Sequence, residues 1–203
     1  TLLHYEVEIT LEDANAVMGI PKPVAIHKLL QHFYKGTRPV TEAWINEIHE
    51  VFVKQMIEFY STDPSVSESE GVTETFQKLK DSKLKIAVDT GFDRQIANPL
   101  LERLGWLRSN LIQASVTSDE VKRGRPYPDL LYKAMELVQV NDVKKVAKVG
   151  DTVSDLQEGM SAGCAFVIGI TSGAFSREEL QKEKHTHLIT QVREVLDILE
   201  VNS

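Results

Sequence analysis

The stretch KVAKVGDTVSDLQEGMSAGCAFVIGI, Lys145 to Ile170, decides the fold. Val146, Ala147 and Val149 form a short apolar run that ends in Gly150-Asp151. A helix follows through about Ala162, Gly163 stops it, and Ala165 to Ile170 reads as a second buried strand. Strand, turn, helix and strand in this order imply a parallel pair, whose carboxyl ends are where ligands bind in open α/β sheets. Asp151 and Asp155 stand four residues apart at such an end. A hard cation such as Mg²⁺ takes oxygen ligands and often needs only one or two carboxylates plus a substrate phosphate. The same pattern is equally served by Asp151 capping the helix and Asp155 lying solvated in its first turn.

Outward from this stretch, the chain divides at STDPSVSESEGV, Ser61 to Val72, which is Ser-rich and holds Pro64. On its carboxyl side, helices and strands alternate. Helices are predicted over 72–80, 94–104, 128–138 and 192–199, and strands over LKIAVD (84–89) and 111–114. Alternation of this kind predicts an α/β, doubly wound parallel sheet with helices on both faces. On its amino side, the spacing predicts a short helix over 11–17 and longer ones over 23–34 and from Thr41 to about residue 60. The expected organisation is a helical cap over 1–66 and an α/β core over 67–203.

Composition bounds the partners. The 203 residues carry a net charge of −7, which argues against a general nucleic-acid binder. No run is apolar and long enough to span a membrane. The single cysteine, Cys164, permits no internal disulfide and suits a reducing cytoplasm, and its apolar setting suits a structural thiol.

Two further segments bear on chemistry. Thr90-Gly91 closes a strand, where a hydroxyl and backbone N–H groups can hold a phosphate. VKRGRPYPDLL places Arg125 between Gly124 and Pro126, a stiff setting suited to pairing with phosphate, whereas Lys122 and Arg123 read as surface charge.

AVDTGFDR, GRPYPD and VGDTVSDLQEGMSAG, in this order, resemble the haloacid dehalogenase (HAD) superfamily of hydrolases, and within it the phosphonatase-like branch. The resemblance covers roughly residues 71–200 with a helical cap before them. It implies that Thr90 and Gly91 bind the phosphoryl oxygens and that Arg125 stabilises the nucleophile. It also implies Asp151 as a Mg²⁺ ligand, with Asp155 supporting the metal shell. The implied partner is a small phosphorylated or phosphonate metabolite, with a homodimer through the cap as a possible assembly.

Two departures shape the functional expectation. The superfamily's strand ending in Asp-x-x-x-Thr, which carries the covalent nucleophile, has no counterpart in residues 1–70. The expectation is therefore an N-terminally incomplete chain whose missing strand lies between those ending at Asp89 and Gly150. In addition, VMGIPKPVAIHKLL resembles the cap segment of the phosphonoacetaldehyde hydrolases, with Lys22 at the position of a Schiff-base lysine. The His three residues after that lysine is replaced by Ala25. The first expectation is accordingly Mg²⁺-dependent P–O cleavage through an aspartyl-phosphate, with Lys22 as a phosphate-binding cation. The alternatives are C–P cleavage through a Lys22 imine and a non-catalytic phosphate-binding protein.

Overall fold

The structure, a computed structural model, describes residues 1–201, so that Asn202 and Ser203 of the expected core segment lie outside the described residues. Three helices come first: α1 (Leu11–Asn15), α2 (Lys22–Phe33) and α3 (Glu42–Thr62). Thr41 starts α3 as expected, its side chain accepting from the Trp44 N–H. Ile26 and Leu30 of α2 meet Trp44, Ile45 and Ile48 of α3 and Val7 in one buried cluster. Helical spacing on both helices supplies that apolar stripe.

After Ser61 and Thr62, which continue α3 rather than opening the linker, come α4 (Val72–Asp81), β1 (Ala87–Thr90), α5 (Arg94–Leu104), β2 (Ala114–Thr117) and α6 (Asp129–Leu137). The chain then runs through β3 (Ala147–Gly150), α7 (Val153–Ala162), β4 (Phe166–Ile170), α8 (Arg177–Leu180), β5 (His187–Ile189) and α9 (Val195–Ile198). All strand pairs are parallel, β1 with β2 and β3 with β4 with β5. Helices cover both faces, as alternating side-chain direction requires. Ala87 packs with Leu130 and Ala134 of α6, while its neighbour Val88 packs with Leu79, Ala97 and Leu101 of α4 and α5.

Three expectations need correction. The strand expected over 84–89 is displaced to 87–90, and the one over 111–114 to 114–117. Ile86, Leu111 and Ile112 are buried as apolar lead-ins, and the ladder begins only where Ala87 faces Ala114. The final helix is shorter than 192–199, because its first turn is a 3₁₀ turn over 192–194.

The strands lie in two sheets, and among the described residues β1 and β3 share no ladder. What links them is a side-chain bridge, Lys148 of β3 to Asp89 of β1 at 2.7 Å. The carboxyl ends of β1 and β3, at Thr90 and Gly150, carry the loops of the candidate site.

Candidate active site

Met18 to Lys22, the turn that leads into α2, is seated on three loops of the α/β part. Ser154 donates to the Met18 carbonyl at 3.1 Å. A Cβ on Gly91 would run into the Gly19 and Ile20 carbonyls, and one on Gly124 would run into the Pro21 ring. Glycine at 91 and 124 is what lets the turn come this close. The turn delivers Lys22, whose ammonium stands 5.0 Å from the centre of the Phe92 ring. A cavity of about 750 Å³ opens beside it, lined by Met18, Ala25, Ile48, Phe52, Tyr60 and Phe92 among others. Burial lowers the Lys22 pKa to about 8, and the facing charge of Arg125 adds to the effect.

Beneath this turn lies a layer of buried charge. Arg125 reaches Asp89, pairs with Asp155 at 2.9 Å and with Glu158 at 3.1 Å. Lys148 pairs with Asp89 at 2.7 Å, Asp155 at 3.3 Å and Glu158 at 2.6 Å. Two cations therefore hold three carboxylates. Burial would raise the Asp89 pKa, but Lys148 and Arg125 outweigh it and hold the group well below the usual carboxylate range. Burial and the charge of Asp89 push Glu158, the most enclosed of the three, upward. For Lys148, burial and Arg125 favour loss of the proton, and the three carboxylates overcome them and raise its pKa.

Above the end of β3, Thr152 caps α7 and shares a capping box with Asp155. Asp151 does not cap; its carboxylate accepts from the Ala174 N–H at 2.8 Å. Asp151 and Asp155 bring carboxylate oxygens, the donor type that a hard divalent cation takes, to this end of β3. The donors are all oxygen, and a Cβ at Gly150 would occupy the space of the Asp155 carboxylate, so the strand end is hollowed for it. Asp89, Asp155 and Glu158 also each place an oxygen within 4.8 Å of the others. Arg125 and Lys148 already pair with all three carboxylates, and Asp155 belongs both to this ion-pair floor and to the end of β3.

The haloacid dehalogenase-like hydrolase family profile matches residues 1–168. The chain belongs to this family of hydrolases. A phosphonoacetaldehyde hydrolase of Bacillus cereus is 34% identical over 203 residues, covering 95% of this chain and 74% of that protein. A bifunctional phosphonoacetaldehyde hydrolase/aminoethylphosphonate transaminase of Clostridioides difficile is 30% identical; the match covers 86% of this chain and 29% of that longer protein. Among solved structures, a phosphonoacetaldehyde hydrolase-like protein of Oleispira antarctica superposes with a TM-score of 0.86 at 20% identity, covering 98% of this chain and 82% of that one. The fold is thus that of the HAD hydrolases, and the resemblance to the phosphonatase-like branch holds.

Of the residues singled out in the sequence, Arg125 and Asp155 meet directly, and Lys22 faces Arg125 from the α2 turn. Thr90 lies at the end of β1, where its hydroxyl accepts from the Phe92 N–H at 3.1 Å, and Gly91 underlies the Gly19–Ile20 backbone. Asp151 is turned toward the Ala174 loop. Arg123 stacks on Tyr127 and pairs with Asp129 at the surface, as a solvated charge would. Burial raises the Cys164 pKa to about 11, which leaves an inert thiol. Sequence reasoning missed Lys148, Asp89 and Glu158. A usable signal existed for the first: a lysine inside the apolar strand VAKVG has to find carboxylates.

Proposed function

We propose that this hydrolase cleaves the C–P bond of a small aldehyde-bearing phosphonate, with phosphonoacetaldehyde as the reference substrate and Lys22 as the imine-forming amine. The observation that carries the reading is the Lys22 amine, with a pKa near 8, held against Phe92 and facing Arg125. A lysine becomes a nucleophile when desolvation or a neighbouring cation lowers its pKa, and both act here. The names and coverage of the curated relatives support the same substrate class.

The chemistry explains why an imine is needed. Breaking a C–P bond leaves an electron pair on carbon, which an aldehyde alone accommodates poorly. Condensed with Lys22, the carbonyl carbon becomes an iminium, and its nitrogen accepts that pair as the C–P bond breaks, leaving an enamine on Lys22. The phosphoryl group would pass to the aspartyl acceptor that the resemblance implies and from it to water as inorganic phosphate. Protonation and hydrolysis of the enamine would release the aldehyde and free Lys22. The Thr90 hydroxyl and the backbone N–H groups around Gly91 would hold the phosphoryl oxygens, with Arg125 offsetting charge that builds during transfer. Mg²⁺, held by Asp151 and Asp155 when bound, would supply further charge stabilisation. The Asp-x-x-x-Thr motif that carries this acceptor in the superfamily has no counterpart in residues 1–70.

P–O hydrolysis remains the second reading, because Ala25 supplies no proton-transfer group on the α2 face next to Lys22. Borohydride reduction during exposure to phosphonoacetaldehyde separates the two. The C–P reading expects a stable adduct on Lys22, absent from Lys22→Arg, which also loses turnover. No adduct, together with phosphatase turnover retained by Lys22→Arg, would replace it with P–O hydrolysis.

A further inference from the structure

An imine-forming lysine needs a proton carrier beside it. Condensation of an aldehyde with an ammonium group moves two of the three nitrogen protons onto the carbonyl oxygen, which departs as water, and leaves a protonated imine. Hydrolysis runs the same transfers backward. On α2 itself no carrier is at hand: Ala25 is a methyl, and His27 is exposed. The cavity beside Lys22 is mostly apolar around the amine.

We infer that His49, gripped by Asp93 beside the Lys22 cavity, carries the protons that Lys22 sheds and recovers; this rests on the imine reading above. His49 lies on α3 next to Ile48, and Ile48 and Phe52 both line the cavity. Its ring stacks on Phe52, with centroids 6.5 Å apart and planes 16° from parallel. Its Nε2 is 3.3 Å from one oxygen of Asp93, and the two side chains are only 20% and 13% exposed. The other oxygen of Asp93 accepts from the Ile96 N–H at 3.1 Å and so is anchored to the start of α5. Because a carboxylate can only accept, Nε2 carries the hydrogen and Nδ1 keeps the lone pair. Asp93 directly follows Phe92, the ring beneath the Lys22 ammonium, so one short loop positions both groups.

The charges around His49 favour this role. Burial lowers its pKa, Asp93 and Glu50 oppose that, and the positive charge of Lys22 lowers it further. The imidazole is then neutral at pH 7, while an amine with a pKa near 8 is still mostly protonated and must give up a proton before it can attack. Phe52, on which the imidazole stacks, and Phe92, which precedes its partner Asp93, both line the cavity that holds Lys22, so His49 stands behind that wall as the basic group suited to take the proton.

The test measures the single-turnover rate of the borohydride-trapped Lys22 adduct in the protein, with phosphonoacetaldehyde, across pH. His49→Gln should slow adduct formation by roughly 10²-fold and abolish the acid limb of the profile, with added imidazole restoring part of the rate. Asp93→Asn keeps a residue able to cap α5 but removes the charge that raises the His49 pKa. It should cause a smaller fall and move the acid limb to lower pH. Wild-type rates and profiles in both variants would overturn the role of His49 while leaving the imine reading intact. No adduct in the wild type would overturn both.

Discussion

Lys22 and Lys148 are the same side chain in opposite electrostatic company. Lys148 sits between β3 and α7 with three carboxylates in reach, and its ammonium is held in place with a raised pKa. Lys22 sits at the start of α2 against an aromatic ring, and the strongest neighbouring charge is the Arg125 guanidinium, so its pKa falls. Burial disfavours the charged form of both. Only the partners differ, and they decide the sign. One lysine serves as a fixed cation that ties two sheets together; the other is left free to lose its proton. Arg125 belongs to both environments: it shares the carboxylates of the first and presses on the second.

The sharpest way to separate the two regions is to remove divalent cations. Stripping Mg²⁺ with a chelator should abolish turnover, since Asp151 and Asp155 are proposed to hold the ion, and leave the borohydride adduct on Lys22 in place. Loss of the adduct along with turnover would mean that the regions do not act separately. Next in size is Lys148→Met, which leaves Asp89 and Glu158 with Arg125 alone. Breaking a buried ion pair from one side costs about 3–5 kcal/mol, to be read from urea unfolding at neutral pH. A cost below about 1 kcal/mol would show the cluster to be a weak tie.

Lys22→Met should act in the opposite direction at neutral pH, stabilising the protein on the order of 2 kcal/mol by removing a poorly accommodated charge. The pH dependence follows from the sign of the shift. Between about 8 when folded and 10.5 for an ordinary lysine, the unfolded chain binds more protons, so wild-type stability rises with pH in that window. The advantage of Lys22→Met should therefore shrink as pH passes from 8 toward 10.5. The smallest expected effect is a control. Thr41→Ala removes the cap of α3 and should cost about 1 kcal/mol without altering the titration of either lysine.

What could be read from the chain was local. The Lys145–Ile170 stretch folds as its pattern implies, because a short apolar run, a capping box at Thr152 and Asp155, and a left-handed Gly163 each act within a few residues. The helix predicted over 94–104 forms at those bounds for the same reason, with Asp93 capping it. Strand starts slid by three residues because the ladder depends on which residue of β1 faces which residue of β2, and nothing local encodes that register. The charge layer needed more distant information still. Asp89 meets Arg125 across 36 positions and Lys148 across 59, and the meeting exists only once β1, β3 and α7 are stacked. The HAD resemblance pointed to Arg125 and Asp155, which meet in the structure, but not to Lys148, the second cation of the floor.

A nucleophilic Lys22 must be an amine that loses its proton near neutral pH. Reductive ¹³C-methylation of the lysines, followed by NMR titration with Lys22→Arg used to assign its resonance, measures this directly. The expected result is a Lys22 titration centred near 8, and a second buried lysine, Lys148, that stays protonated beyond the ordinary lysine range. A Lys22 titration at 10.5 or above would contradict it.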